Sequence, residues 1–445
     1  MLPSLKDSHQ VVSLEQFVET GTEPIVAAPI FPGLGCGFFS INHNIPSIRG
    51  ACAVMIAPAL CAYNARLALS RWERSSLDIS NNLVFLLYEE EDVIHGAAGT
   101  IRQALLDIYR QRTPQALFVV TSCLPEIVGE DVAAVVRQVN DALPIPVLLI
   151  KTENFTDMTA RTSQENALLS FTGLMSPPAQ KVPKSINIIG SNARDFAASE
   201  LNRALQHTGF SINTVIPSRC NVTLFNDAPR AAFNILLTRG ATVLGQWMER
   251  EYGTPFFLFE PAYTPEAIQK KYSDLGLFLG VDLLPFVADS MRQLDADIVT
   301  ARNVLGEKTA IISYSNGRVF DMALLLEQAG LRMKVIGINH IAPEDMSDAR
   351  RLQNNARRIW VVRTLTLSPL DDCIAFLRPD YYISFGGPDA TFCAKHGVRA
   401  RALVMRPHPN GFEAARRLLQ LIQKERPGLS TLLLREEMRA KAGIV

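Results

Sequence analysis

Short, almost uninterrupted apolar runs alternate with amphipathic stretches along most of this chain. From Asn82 the order is LVFLLYE, a helical pattern from Ala97 to Arg112, ALFVVTS, a helical pattern from Glu126 to Leu143, and PVLLIKT. Strands buried on both faces read as continuous apolar runs, and parallel strands need helical crossovers, so this block predicts a parallel sheet covered by helices. It ends near Met175, where SPPAQKVPKS brings three prolines and the composition of a linker. The pattern restarts with SINIIGS, a helix from Ala193 to Thr208, SINTVIP, FNILLT, a helix reaching about Tyr252, and PFFLFE. Two long helical stretches follow, Thr264 to Gly280 and Pro285 to Leu305. KTAIISYS, RMKVIGIN, RIWVVRT, DYYISFGG and RALVMRP then predict a third set of strands, and a last helix runs from Gly411 to Lys424.

The same strand-helix unit thus recurs in three blocks, and the fold class it predicts is α/β: three tandem doubly wound, Rossmann-like parallel-sheet domains. The expected divisions are a lead-in over 1–30 with an amphipathic piece around Leu14 to Val18, a first domain over 31–182, a second with long helices over 183–306, and a third over 307–445. Sheets of this kind bind ligands just beyond the carboxyl ends of their strands, so those are the places to look for chemistry.

Composition removes several function classes. The 445 residues are 48% hydrophobic and 20% charged with a mean hydropathy of +0.11, which points to large buried interfaces rather than disorder. Lys plus Arg and Asp plus Glu number 44 each, so no net field recruits nucleic acid or an anionic membrane. No apolar stretch nears the roughly 18 residues of a membrane span, and MLPSLKDSHQ lacks the basic region and apolar core of a secretory signal. A soluble, cytoplasmic protein is expected. Seven widely spread cysteines in such a chain argue against a disulfide framework and leave packing, metal ligation or nucleophilic chemistry.

Three of the cysteines stand out by position. Cys123 closes ALFVVTSC and precedes a helix, a setting that favours thiolate but equally suits a packed thiol. Cys36 lies in FPGLGCGFF, whose glycines let the backbone curl around whatever the sulfur binds. Cys61 follows Pro58 in MIAPALC, again at the end of an apolar run. Their separations match no local zinc motif; three thiols on three separate loops suit a cluster at a domain or subunit interface. The other polar candidates read as structural. Gly190 to Asn192 lacks the full GxGxxG pattern and Gly386 and Gly387 suit a turn; His95, His340 and His396 are isolated; Cys52, Cys220, Cys373 and Cys393 read as packing residues; Glu126 and Asp131 complement a helix dipole.

The order of Cys36, APALC, EEEDVIHGAAGTIRQALLDI, ALFVVTSCLPEIVGEDVAAV, PVLLIKTENF and AAFNILLTRGATVLGQWMEREYGTPFF resembles the catalytic component of nitrogenases and nitrogenase-like reductases over most of the chain. That resemblance implies three α/β domains, a heterodimer pair or homodimer, and an iron-sulfur cluster, of 4Fe-4S or larger P-cluster type, held at the subunit interface by Cys36, Cys61 and Cys123. Ile56, Ala57 and Pro58 stand where the family usually has His, Gly and Pro, which leaves the cysteine intact. Two further family ligands, for the large active-site cofactor, have no counterpart: Leu237 occupies the position of the cysteine, and His408 in RPHPNGFEAARR falls too late for the histidine. A leucine cannot ligate iron.

The resemblance therefore implies a subunit of the catalytic component of an ATP-dependent two-component reductase, alpha-type or beta-type, relaying electrons through a cysteine-bound cluster to a substrate or a partner-held cofactor. Its expected partners are a homologous second subunit, or a second copy, and a separate ATP-dependent iron-sulfur reductase protein. ATP use falls to that protein, since this chain has no GxxxxGK[ST] loop. The alternatives are a scaffold for maturing a nitrogenase-type cofactor, or a tetrapyrrole or methylthio-alkane reductase subunit. A metal- or metabolite-binding protein of periplasmic type, built from similar lobes, would carry no iron.

Overall fold

The computed structural model describes residues 11–21, 37–41, 45–73, 82–152, 162–178, 180–191, 196–217, 220–312, 318–338, 341, 343–355, 358–363, 373–384, 398–402 and 410–423. Its strands are β1 (Val11–Ser13), β2 (Ala51–Ala57), β3 (Leu83–Leu87), β4 (Ala116–Thr121), β5 (Val147–Lys151), β6 (Val182–Ser191), β7 (Ser211–Pro217), β8 (Ala231–Leu236), β9 (Phe256–Leu258), β10 (Thr309–Ile312), β11 (Arg332–Ile338), β12 (Trp360–Arg363), β13 (Tyr381–Ser384) and β14 (Arg399–Ala402). They form three sheets, in the orders β3-β2-β4-β5, β7-β6-β8-β9 and β1-β12-β11-β10-β13-β14. Every pairing is parallel except that of β1 with β12.

By contact density the chain divides into two compact units. One holds residues 35–198 and 205–259 with the first two sheets; the other holds 1–34, 199–204 and 260–445 with the third. Within the first unit a single apolar core joins both sheets: Ala53, Met55, Phe118 and Val120 pack in one cluster with Ile189, Ile216 and Leu236. The opposite face of the first sheet has its own core, in which Val54, Ile56, Leu117 and Val119 lie under Ile101, Leu105 and Val135 from the covering helices. β2 and β4 are buried along their whole length, which explains their unbroken apolar sequences.

Three local expectations change. The single helix expected over Glu126 to Leu143 is two, Cys123–Ile127 and Val132–Ala142. Gly129 between them has φ +82°, a left-handed conformation no helix accepts, and the Asp131 carboxylate then caps the second helix by accepting the Ala134 amide at 2.9 Å. The helix expected from Ala193 is described only as a turn at Phe196–Ala198 and a helix at Glu200–His207. Within the lead-in, β1 adds an antiparallel edge to the third sheet, and Ser13 caps the helix Leu14–Thr20 behind it. No described helix is long and apolar enough to cross a membrane.

Candidate functional site

Strand order decides what the first sheet can do. β2 and β3 are added outward on one side, whereas β4 and β5 are added outward on the other, so the winding of the parallel sheet reverses between β2 and β4. At such a switch point the loops leaving the two strands diverge and open a crevice at their carboxyl ends. Cys61 and Cys123 both sit there. Ile56 pairs with Thr121, so the strands end level. Cys61 is the third residue of the helix Ala59–Glu73 that leaves β2, and Cys123 opens the helix Cys123–Ile127 that leaves β4. Both side chains are half-buried.

Cys36 and the GxGxxG-like and C-terminal candidates Asn192, His340, Gly386, Gly387, Cys393, His396 and His408 lie outside the described residues. The neighbour of Cys36 is described, and its packing is specific. A Cβ at Gly37 would lie 2.7 Å from the Ser163 Cβ and 3.1 Å from the Thr152 carbonyl oxygen, so only glycine fits. Thr152 directly follows β5, and its hydroxyl donates to the Thr121 carbonyl at 2.6 Å, tying the end of β5 to the end of β4. Ser163 donates in turn to the Thr152 carbonyl at 3.3 Å. The residue after Cys36 is thus pinned to the same carboxyl edge that carries Cys61 and Cys123.

Glu126 does more than complement a dipole. Its carboxylate accepts from the Thr121 hydroxyl and from the Thr152 amide at 3.3 Å, joining the same two strand ends. Glu130 accepts the Ala97 amide at 2.8 Å and the Tyr88 hydroxyl at 3.4 Å, and burial together with the Glu130 charge pushes that phenol upward. Next to this pair lies a cavity of about 250 Å³ lined by Thr121, Glu126, Glu130 and Lys151. Sequence reasoning missed Ser122, whose position beside a cysteine carries no local signal. It is 1% exposed, and its hydroxyl has no hydrogen-bond partner among the described residues.

The remaining described cysteines behave as packing residues. Cys52, Cys220 and Cys373 are buried, and desolvation pushes the Cys52 and Cys220 thiols up to about 11. Gly190, with φ +85°, lies within β6 at a break in the pairing register with β7, where a Cβ would meet the Thr238 hydroxyl at 2.5 Å. Leu237 is a buried residue whose amide donates to the Ile189 carbonyl at 2.8 Å, so the carboxyl end of β8 offers an apolar side chain there.

The donor chemistry at the first sheet suits an iron-sulfur group: soft thiols on rigid strand ends, at helix N-termini, over an apolar core. Among the described residues no set of three or more His, Cys, Asp or Glu side chains is placed to hold a metal ion. Two thiols alone would leave such a group undercoordinated.

The family model for nitrogenase component 1 type oxidoreductases matches residues 42–401. The chain belongs to that family. It is 24% identical over 322 residues to the nitrogenase iron-molybdenum cofactor biosynthesis protein NifE of Methanococcus maripaludis, covering 70% of this chain and 66% of that protein. To a light-independent protochlorophyllide reductase subunit of Roseobacter denitrificans it is 25% identical over 245 residues, covering 52% of this chain and 47% of the other. The chain thus spans less than two thirds of the length of these two relatives. The structure of nitrogenase Cp1 at pH 5 superposes with a TM-score of 0.72 at 17% identity, covering 95% of this chain and 94% of that one, a likeness of fold.

Proposed function

We propose that this chain is a subunit of the catalytic component of a nitrogenase-like, ATP-dependent two-component reductase, and that Cys36, Cys61 and Cys123 are its ligands to an iron-sulfur cluster. The observation that carries the reading is the convergence of Cys61 and Cys123 on the switch point of the first sheet, with the residue after Cys36 pinned to the same edge. When bound, the cluster would take up and release single electrons. The chain's part is to hold it: the thiolates ligate, and the apolar core beneath keeps water out.

An exposed apolar rim supports sharing of this edge with a second chain. Leu60 is 71% exposed and Ile94 72%, and Tyr63, Ile127 and Val128 are also exposed; all stand on the segments that leave β2, β3 and β4. A homologous subunit or a second copy covering this rim would complete the ligand set and dry the site. ATP hydrolysis belongs in this reading to a separate iron-sulfur protein that docks and delivers electrons.

A second reading, a scaffold on which a nitrogenase-type cofactor is matured, is favoured by relatives named as iron-molybdenum cofactor biosynthesis proteins. Anaerobic purification with any co-purifying subunit, followed by iron, acid-labile sulfide and EPR measurements, tests both. About two iron atoms per chain fits one four-iron cluster shared by two like chains. Iron that leaves for an acceptor protein without turnover marks the scaffold, and absence of iron in strictly anaerobic protein overturns both readings.

A further inference from the structure

The hydroxyl of Ser122 is out of place as a purely structural group. It is 1% exposed, in a position where nearly all polar side chains find a partner, and it has none among the described residues. Ser122 is the N-cap of Cys123–Ile127, the position at which a serine ordinarily accepts a backbone amide, yet its side chain makes no cap bond. The strand before it supplies the reason. Phe118 and Val120 face the core shared with β6 and β8, whereas Leu117 and Val119 face the opposite one. Ser122 is still extended, with φ −76° and ψ 178°, so it continues the alternation onto the face of Phe118 and Val120. Cys61 packs against that same core, as does Phe38 from the segment after Cys36. On the other strand face, Thr121 is engaged by Glu126.

Ser122 is also held at the seam between the two cysteine-bearing strands, because its amide donates to the Ile56 carbonyl at 2.9 Å. The hydroxyl therefore lies on the sheet face of Cys61, one residue before Cys123, with a donor hydrogen that nothing described accepts. We propose that Ser122 donates a hydrogen bond to a sulfur of the cluster held at this edge, acting as a positioning and potential-setting residue. The inference rests on the cluster reading above. Hydrogen bonds to sulfur stabilise the more negative, reduced cluster and raise its reduction potential. A buried hydroxyl with no protein acceptor costs stability in the empty protein and ceases to do so once sulfur accepts it.

The test compares wild type with Ser122→Ala and Ser122→Thr, each purified anaerobically with its partner subunit. EPR-monitored redox titration is expected to show a more negative midpoint in Ser122→Ala, with iron per chain retained, and a near wild-type midpoint in Ser122→Thr, which keeps the hydroxyl. Stripped of iron, Ser122→Ala is expected to melt no lower than wild type, since no protein hydrogen bond is lost. Unchanged midpoint at full iron content overturns the role of Ser122 and leaves the cluster reading standing. A stripped Ser122→Ala that melts well below wild type overturns it too, by revealing a structural partner. A wild type without iron overturns the cluster and Ser122 together.

Discussion

The amide of Ser122 donates to the carbonyl of Ile56 at 2.9 Å, closing the last rung between β4 and β2. Beyond that rung the chain turns away in both strands and presents Cys123 on one side and Cys61 on the other. A rigid seam with a thiol on each side would, under the proposed reading, hold both ligands in place before any cluster arrives, which is what a ligand shell on strand ends requires.

Cys61→Ser and Cys123→Ser are expected to lower iron per chain severalfold while leaving the circular dichroism spectrum unchanged, because both side chains lie at the rim of the core rather than within it. Colorimetric iron analysis after anaerobic purification reads this. Full iron content in both variants would remove these residues from the ligand set.

At Gly37 the added methyl of Gly37→Ala meets Ser163 and the Thr152 carbonyl. Overpacking of this kind costs about 1–3 kcal/mol. A drop in thermal midpoint together with loss of iron is expected, and Ser163→Gly should recover part of both. If Gly37→Ala lowers stability but leaves iron untouched, the segment after Cys36 does not position a ligand.

A charge placed on the apolar rim should separate subunits without unfolding them. Leu60→Asp and Ile94→Asp change side chains that are largely exposed in the single chain. Light scattering coupled to size exclusion should then show the single-chain mass where wild type shows an assembly. An assembly unaffected by both changes places the subunit contact elsewhere.

Glu200 governs a pH effect far from the cysteines in sequence. It is buried, accepts the Tyr272 hydroxyl at 2.7 Å, and caps the helix Phe412–Gln423 through the amides of Phe412 at 3.2 Å and Glu413 at 3.1 Å. Desolvation outweighs these hydrogen bonds and raises its pKa. A carboxyl raised in the folded state binds its proton more tightly there than in the unfolded chain. Its contribution is thus complete below about 4.5, the ordinary value, and is lost as pH rises through the raised one. Calorimetry across this range should show wild type losing stability relative to Glu200→Gln as pH increases; a constant difference would contradict the raised pKa.

Thiol reactivity should separate the cysteines by role. With their pKa values pushed up to about 11, Cys52 and Cys220 carry little thiolate at neutral pH. Relative to an ordinary thiol of about 8.5, alkylation near pH 8 should be slower by roughly two orders of magnitude from charge alone. Peptide mapping after iodoacetamide treatment of iron-free protein should find Cys61 and Cys123 labelled first, and Cys52 and Cys220 only on unfolding.

Much of this was legible in the chain itself. The apolar runs at 116–121, 147–151, 211–217 and 332–338 became strands where their patterns placed them; of these four, 116–121 is the one buried along its whole length, which is why its apolar sequence is the least broken. The placing of Cys123 at a strand end followed from the same pattern, and Cys52 and Cys220, read as packing residues, are buried. Strand order was not legible. That β4 crosses β2 to lie on the side away from β3 is a choice among non-local pairings, and it alone brings the Cys61 and Cys123 ends together. The antiparallel edge of β1 at 11–13 is too short to announce itself, and it exists only because β12 offers an open flank. Ser122 is the clearest case: its residue type suits an ordinary helix cap, and only the alternation of the two cores and the seam to Ile56 turn its hydroxyl toward the sulfur side. Local patterning specifies which segments are buried, whereas long-range pairing decides which buried segments become neighbours, and the chemistry of this edge depends on the second.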